Sequence, residues 1–259
     1  MTVRHGLPWI HCVTLTVAVL TKGAVPDAAP SLVDRLIASY DPITSVSCEV
    51  RREELSPSGR TFRTLSGVFF QRPDRLHVDT SAPVRRVIVS DGEIFYSHVQ
   101  GDPKGFSRPV AKLDLDMTIS LRKVPGTAMD HLLRLRGIKE IELAPELDWP
   151  VRRGYDTDKV YAELRVDSQG RLGRIDLFTG VDRGKPTATF FYRDFYEPLP
   201  GVWIPRLHET ELNTGGKTSR ETTRFDNLKV NEPIAPVLFV AAPFFKGIQF
   251  ENSFDKIYP

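Results

Sequence analysis

Residues 67–96 read GVFFQRPDRLHVDTSAPVRRVIVSDGEIFY, and the order of strands and turns in this stretch decides the fold. Four short runs containing β-branched or aromatic residues are separated by Pro73-Asp74, Pro83 and Asp91-Gly92. Such residues favour strands, and Asp-Gly is a two-residue turn that paired strands prefer. Strands joined by turns this short pair antiparallel, because a parallel pair needs a long crossover. The stretch therefore predicts an antiparallel meander.

The same pattern continues along the rest of the chain. Val46, Cys48 and Val50 alternate with polar residues, as in a strand with one buried face. Turn signals recur at the short spacing that is typical of an all-β sheet or barrel. Further strands are predicted at 61–72, 155–167, 172–179, 187–196, 203–212 and 218–228, with a loop at 100–108. We therefore expect a mainly β protein with about 10–11 antiparallel strands.

Two helices are predicted between the strands. In the range Ser31–Tyr40 apolar residues recur three and four positions apart, and Ser31 with Asp34 has the spacing of a capping box. A second apolar helix is expected at 127–135. A sheet with this many strands must curl or split, and the apolar helix faces need burial. The predicted fold is a curved antiparallel sheet, an incomplete β-barrel, with the helices covering its concave side.

The N-terminus has the order of a secretory signal peptide. Arg4 precedes a short apolar run at Trp9–Leu20, and small residues follow it. The run is too short to span a bilayer, and it could instead be a helix or strand of the domain. We expect residues 1–29 to be a signal peptide with a short N-terminal segment, and 30–259 to be one domain. The cleavage site is not determined by this pattern.

Charge and cysteine content narrow the class further. The formal net charge of the chain is +2, and the first 24 residues contain two basic residues and no acidic one, so the remaining body is close to neutral. This argues against a broad nucleic-acid surface. Cys12 lies inside the apolar run after His11, which does not fit a lipidation site. Cys48 is then alone and is expected to be a buried apolar residue without a disulfide.

No catalytic motif is present. The chain has no Gly-x-Ser-x-Gly elbow, no phosphate-binding loop, no strand-borne Gly-x-Gly-x-x-Gly, no His-Glu-x-x-His and no Cys-x-x-Cys. The six histidines are scattered along the chain. We therefore predict that the protein is not an enzyme, has no catalytic residues, and needs neither a metal nor a cofactor.

The strongest local signal is the run Gly67–Pro73 followed by Val89–Gly92 and Phe95-Tyr96. In this order it resembles the periplasmic outer-membrane lipoprotein carrier (LolA-like) family. The resemblance covers roughly 32–99, with a further match near the C-terminus, and it does not extend to the expanded middle, residues 100–154. It implies an open β-barrel closed by helices, with an apolar cavity for the acyl chains of a lipoprotein.

Arg72 matches the family's arginine before proline, which reaches into the cavity and hydrogen-bonds the helical lid. The strand parity permits this, because Arg72 shares a face with Val68 and Phe70. The alternative is that the strand has already ended and Arg72 is a solvated turn residue. The remaining wall candidates can equally be plain core, since core and cavity share one composition. The predicted ligand-binding residues are Arg72, Val68, Phe70, Leu76, Val78, Val87, Val89, Leu132 and Leu133.

The resemblance implies an exported, soluble periplasmic carrier that is not itself a lipoprotein. It would bind acylated lipoproteins, or a related lipid, and move them toward the outer membrane. Expected partners are the acylated cargo and membrane-bound donor and acceptor proteins, with the chain itself a monomer. The alternative is a periplasmic regulatory protein that senses lipid or lipoprotein with the same fold. The expanded middle and the added pairs Arg85-Arg86 and Arg152-Arg153 leave the cargo and the donor open.

Overall fold

One curved sheet dominates the computed structural model, which describes residues 29–113, 124–127, 130–157, 159–180 and 183–257. The described part contains fourteen strands, two α-helices and three 3-10 turns. The helices are α1 (Leu32–Ala38) and α2 (Asp130–Leu135), and the 3-10 turns span Val110–Lys112, Pro236–Phe239 and Phe254–Lys256. The strands are β1 (Ser45–Leu55), β2 (Thr61–Gln71), β3 (Arg75–Ala82), β4 (Arg86–Asp91), β5 (Ile94–Val99), β6 (Lys104–Pro109), β7 (Glu140–Glu142), β8 (Val151–Asp156), β9 (Val160–Val166), β10 (Leu172–Thr179), β11 (Ala188–Leu199), β12 (Val202–Thr214), β13 (Lys217–Val230) and β14 (Gln249–Glu251).

The strand order shows two meanders joined in the middle. Within the described residues the order is β14-β6-β5-β4-β3-β2-β1-β13-β12-β11-β10-β9-β8-β7. Strands β1 to β6 form one meander and β7 to β13 the other, and the pairing of β1 with β13 joins them. The edges β14 and β7 do not pair with each other, so the sheet stays open. The predicted fold class, a mainly β chain with a curved and incomplete barrel, is confirmed.

The expected number of strands was too low. Strands β7 and β14 have three residues each, which is too short for an alternating pattern to be visible. Strand β6 lies where a Gly/Pro-containing loop was expected, and β8 and β9 were taken as one strand. The pair β14–β6 is parallel, an exception to the expected antiparallel pairing.

The first helix begins as its capping pattern predicts. The backbone N–H of Asp34 donates to Ser31 Oγ over 3.1 Å, and Ser31 Oγ donates to Asp34 Oδ2 over 2.7 Å. The helix is tied to the distant edge strand β7, because the N–H of Leu32 donates to Glu140 Oε2 over 2.8 Å. This bond satisfies one of the donors that a helix N-terminus leaves without an internal partner.

The core lies on the concave face of the sheet in two adjoining clusters. Leu32 and Val33 of α1 pack with Leu132 and Leu135 of α2 over strands β8 to β11. The second cluster lies over β1 to β3, β12 and β13, and contains the buried residues Tyr40, Ile43, Val46, Cys48, Val68, Phe70, Leu76, Val124, Val202, Ile204 and Phe225. The helices therefore cover the concave side as expected. Cys48 is buried, and burial raises its pKa to about 12.

The C-terminal segment covers the convex face of the first meander. His77 Nδ1 lies 2.9 Å from the carbonyl oxygen of Leu238, and the rings of His77 and Phe244 have centroids 4.6 Å apart. The segment then adds β14 beside β6. Beyond β14 it reaches the concave side, where Ile257 packs with Phe95 and Phe106 in a third apolar cluster. The first meander is thus covered on its convex side by residues far along the chain.

The predicted targeting segment cannot be compared with this fold, because residues 1–28 lie outside the described ranges. Among the residues that are described, no helix has both the length and the apolar content needed to cross a membrane. The division into a signal peptide and one domain from residue 30 therefore stays a prediction.

Gly126 provides a test of how tightly the segment 124–127 packs on the sheet. Its φ is +78°, and a Cβ there would lie 2.8 Å from Ile43 Cδ1 and 2.9 Å from Ile204 Cδ1. We expect Gly126→Ala to lower the free energy of unfolding by about 3 kcal/mol, from backbone strain together with overpacking. Urea unfolding measures this loss.

Gly59→Ala is the matched control. Gly59 has a φ of +79°, but nothing lies within 4 Å of the added Cβ, so only the strain remains. We expect a loss of about 1 kcal/mol. Equal losses in the two variants would show that the isoleucine contacts at Gly126 contribute nothing.

Candidate functional site

A cavity of about 540 Å³ lies between the concave face of the sheet and the segment Val124–Thr127. Strands from both meanders line it, together with Tyr40 after α1 and His131 of α2. The volume is in the range of small-molecule sites, roughly 300–1,000 Å³. The cavity therefore depends on the junction of the two meanders and on the helices that cover it.

The strand register gives the cavity an apolar end and a polar end. At the level of Cys48 the paired residues are Val68, Val78 and Ile88, all apolar. Four residues along β1, Arg52 pairs with Thr64 and Thr223 instead. We define the apolar end by Val68, Leu76, Val78 and Ile88, and the polar end by Arg52, Thr210, Glu221 and Thr223. An occupant that matches this lining has an apolar body and a polar head.

The polar end carries an exposed ion pair. Arg52 Nη2 donates to Glu221 Oε2 over 2.5 Å, and both side chains are partly open to solvent. Because exposed ion pairs add little to stability, this pair mainly makes the end of the cavity polar. Among the described residues, no group of three His, Cys, Asp or Glu side chains lies together in a way that could hold a metal ion.

His208 lies at the level of Arg52 and Thr223 in the polar end and was not predicted as a site residue. It pairs with Tyr192 and Thr223, and its ring lies edge-on to Tyr192 at 5.0 Å and to Phe225 at 4.8 Å. Burial, with a smaller contribution from the charge of His131, lowers its pKa to about 4. Its buried Nε2 has no hydrogen-bond partner among the described residues. The sequence around His208 does not mark it as a site residue. Its burial depends on the rings of Tyr192 and Phe225, which lie on two other strands.

Three of the predicted wall residues line the cavity. They are Val68 of β2 and Leu76 and Val78 of β3. Phe70 is buried in the adjoining core cluster. Leu132 is buried between the helices and lines a second, smaller cavity, while Leu133 is half-buried and lines neither cavity. That any of these residues contacts a ligand stays a prediction.

Val87 and Val89 do not belong to the cavity wall. They pair with Asp79 and His77, which lie on the opposite face from Val78, and Ile88 is the β4 residue that faces the cavity. Val87 and Val89 therefore lie outside the cavity lining, and their contact with a ligand stays a prediction. Val87, Ile88 and Val89 are all apolar, so alternation could not tell which set points inward, and the convex face is itself covered by the C-terminal segment.

Arg72 holds the turn after α1 and does not line either cavity. Its Nε donates to the carbonyl oxygen of Ile43 over 2.5 Å, and its Nη2 donates to that of Tyr40 over 2.8 Å. Strand β2 ends one residue before it, and Arg72 itself is exposed. Arg72 is therefore an exposed turn residue, as one alternative expected. It also donates hydrogen bonds to the backbone that follows the covering helix α1, which is part of the other alternative.

A second cavity of about 330 Å³ lies beneath α1. Leu36 and Tyr40 line it from one side and Leu132 and Trp203 from the other. At its rim Arg171 stacks on Phe195, with its guanidinium carbon 4.8 Å from the ring centre. Tyr40 lines both cavities, so its side chain stands at their shared boundary.

Comparison of sequences finds one relative with a matching segment. The outer-membrane lipoprotein carrier protein of Chromohalobacter salexigens is 30% identical over 116 residues, which cover 44% of this chain and 52% of that protein. The chain thus spans about half the length of the curated relative that it matches. No family model matches the chain.

Comparison of folds finds solved structures that match most of the chain. A LolA superfamily protein from Nitrosomonas europaea has a TM-score of 0.52 at 14% identity, covering 82% of this chain and 98% of that one. A DUF1329 family protein from Desulfovibrio piger has the same TM-score at 10% identity, covering 82% and 95%. The fold is LolA-like. A domain from Vibrio parahaemolyticus, thought to sort outer-membrane lipoproteins, has a TM-score of 0.50 at 8% identity, covering 80% and 94%.

Replacing Arg72 tests whether it holds the covering helix in this fold. Arg72→Leu removes the two bonds to the carbonyl oxygens of Tyr40 and Ile43. Since bonds to charged donors stabilise by more than neutral ones, we expect the amide protons of Arg35 in α1 and of Ser39 directly after it to exchange about tenfold faster. Hydrogen–deuterium exchange measures the rates. Arg75→Leu, at an exposed arginine in β3, should leave them unchanged, and equal effects of the two changes would contradict the role of Arg72.

His208 gives the folded chain a predictable acid sensitivity. Its pKa is about 4 in the fold against an ordinary value of 6.5, so between these values the unfolded chain binds more protons. The free energy of unfolding therefore falls as the pH is lowered through this window. We expect His208→Phe, which keeps the ring contacts, to reduce that fall by ~2 kcal/mol. Urea unfolding at pH 7 and pH 4.5 measures it, and an unchanged fall would contradict the burial of a neutral His208.

Proposed function

We propose that this LolA-like protein binds the acyl chains of lipoproteins, or of a related lipid, in the larger cavity and carries them. The observation that carries the proposal is the cavity itself, apolar at one end and polar at the other, beneath covering helices. This arrangement suits a molecule with a long apolar tail and a polar head. The name of the Chromohalobacter salexigens relative supports lipoprotein as the cargo.

Burial of methylene groups would supply the affinity. Each CH2 group that moves from water into an apolar site contributes about 0.8 kcal/mol. Six buried methylenes would therefore contribute about 5 kcal/mol, part of which offsets the freedom lost on binding. Apolar contacts are non-directional, so the apolar end would accept acyl chains that differ in length and branching.

Release would require the covering helix to move. Helix α1 ends close to Tyr40, which lines both cavities, and the backbone there is bonded to Arg72. We propose that this turn opens when a chain enters or leaves. The contacts of α1 with α2 and the bond from Leu32 to Glu140 would hold the other end of the helix in place.

We further propose that the chain is exported to the periplasm and works without catalysis, as a soluble monomer. The support is the signal-peptide pattern of residues 1–29 and the carrier and sorting names of its relatives. Its partners would be acylated lipoproteins together with membrane-bound donor and acceptor proteins. Residues 30–259 would form the lipid-binding domain.

Filling the cavity tests the binding proposal. Ile88 faces the apolar end, so Ile88→Trp should occupy the space that a chain would take. We expect the affinity for a fluorescent fatty acid to fall at least tenfold, because a large side chain excludes the ligand. Fluorescence titration of the purified protein measures the dissociation constant.

The neighbouring residue supplies the control. Val87 is half-buried on the opposite face, so Val87→Trp adds the same side chain outside the cavity and should leave the affinity unchanged. A wild-type protein that fails to bind the probe would overturn the proposal. Mixing the loaded protein with lipid vesicles then separates a carrier, which transfers its ligand, from a sensor, which retains it.

A further inference from the structure

Tyr40 combines burial with an unused hydrogen-bonding group. Its residue exposure is 6%, and it belongs to the core cluster that contains Ile43, Phe70, Leu76 and Val124. Its hydroxyl makes no hydrogen bond to any residue that the structure describes. Burial raises the pKa of the phenol well above its ordinary value, with no contribution from a hydrogen bond. The hydroxyl is therefore a proton donor at any physiological pH.

The position of this hydroxyl points to a ligand. A hydroxyl without a partner in the fold is available to hydrogen-bond an occupant of a cavity that its residue lines. Tyr40 lines both the larger and the smaller cavity. Unlike His208 Nε2, its hydroxyl oxygen is not sealed from water-sized space. An atom of an occupant can therefore reach it.

The backbone of Tyr40 is fixed while its side chain is free to bind. Arg72 donates to its carbonyl oxygen over 2.8 Å, and the N–H of Ile43 donates to the same oxygen over 3.1 Å. Two bonds to one carbonyl hold the residue in place on the turn after α1. A hydrogen bond to a group that is already positioned loses less freedom than one to a mobile side chain.

Other tyrosines show what an occupied hydroxyl looks like in this chain. Tyr155 is fully buried under the same helices, and its hydroxyl donates to Glu140 Oε2 over 2.8 Å. Tyr155 therefore has a partner in the fold, whereas the hydroxyl of Tyr40, a residue that lines both cavities, has none among the described residues. The difference distinguishes a structural tyrosine from one that is available to a ligand.

We propose that the Tyr40 hydroxyl donates a hydrogen bond to an acyl oxygen of the bound ligand, the carbonyl of an ester, amide or acid. The inference rests on the proposed function and adds a chemical requirement to it. The apolar end holds the chain by its methylene groups, and Tyr40 recognises the oxygen at which the chain is attached. The site then favours acylated molecules over hydrocarbons of equal size.

The test compares two ligands that differ in one feature. Methyl dodecanoate has an acyl oxygen, and pentadecane has the same number of non-hydrogen atoms and no hydrogen-bonding group. Each is titrated against the full chain loaded with a fluorescent fatty acid, and displacement gives its affinity. We expect Tyr40→Phe to weaken methyl dodecanoate about fivefold, because one hydrogen bond is lost, and to leave pentadecane unchanged within twofold.

Tyr96→Phe is the matched control. Tyr96 lies on the convex face against Phe245 and Phe250, away from both cavities, so this change should affect neither ligand. The unliganded Tyr40→Phe protein should unfold at an equal or higher urea concentration than the wild type, because the lost hydroxyl has no partner. A clearly lower midpoint would show that the hydroxyl bonds within the fold, and would overturn the inference.

The outcomes separate this inference from the proposed function. If both ligands bind and Tyr40→Phe weakens neither, or weakens both equally, the acyl-oxygen contact is excluded and lipid binding stands. If the wild-type chain binds neither the probe nor either ligand, the proposed function fails and the inference fails with it. A loss confined to methyl dodecanoate supports both.

Discussion

The pairing of β1 with β13 is the interaction on which the rest of the structure depends. It runs from Val46 opposite Val230 to Leu55 opposite Arg220, and it joins two meanders that share no other neighbouring strands among the described residues. Because side chains alternate across a strand, this register places Val50 and Phe225 on the same face. A slip by one residue would turn one half of the cavity wall outward. The cavity is therefore a product of this junction and not of either meander alone.

The two meanders protect their outer faces by different means. The first is covered by the C-terminal segment, which packs on His77 and adds the edge strand β14. The second has charged residues there, centred on Asp176, which is 0% exposed. Asp176 accepts from Thr189 Oγ1 over 2.8 Å and from Arg174 and Arg165. A buried carboxylate needs such partners, since an unpaired one would be expensive. Around Asp176, paired charges therefore take the place of an apolar cover.

How far the sequence predicts this structure depends on how local each feature is. The strands around Asp91-Gly92 and the capping of α1 by Ser31 follow from neighbouring residues, and both are found as expected. The concave position of the helices follows from their apolar faces. The edge strands β7 and β14 are too short for a pattern, and their pairing depends on residues far away in the chain. The run Val87–Val89 is apolar on both faces, so no alternation could assign its direction.

The sequence predicts the type of site, an apolar cavity, but only some of the residues that line it. An apolar cavity follows from a curved sheet with covering helices, and Val68, Leu76 and Val78 line it. Arg72 was selected by resemblance, and its bonds to Tyr40 and Ile43 follow from no local pattern. Tyr40 was visible only as the last apolar residue of a helix. Its proposed role depends on a hydroxyl oxygen that has no hydrogen-bond partner among the described residues. No sequence pattern can show this.

The unequal strengths of these contacts indicate how binding and release could be divided. About ten buried methylenes would contribute about 8 kcal/mol, whereas one hydrogen bond contributes about 1 kcal/mol. The bond to Tyr40 would then select acylated ligands and set their position, while the chain would dominate affinity. A ligand held by its chain leaves only when that chain regains water or another apolar surface. Release would therefore depend on the turn after α1, which is bonded to Arg72 and contains Tyr40, the residue proposed to recognise the ligand.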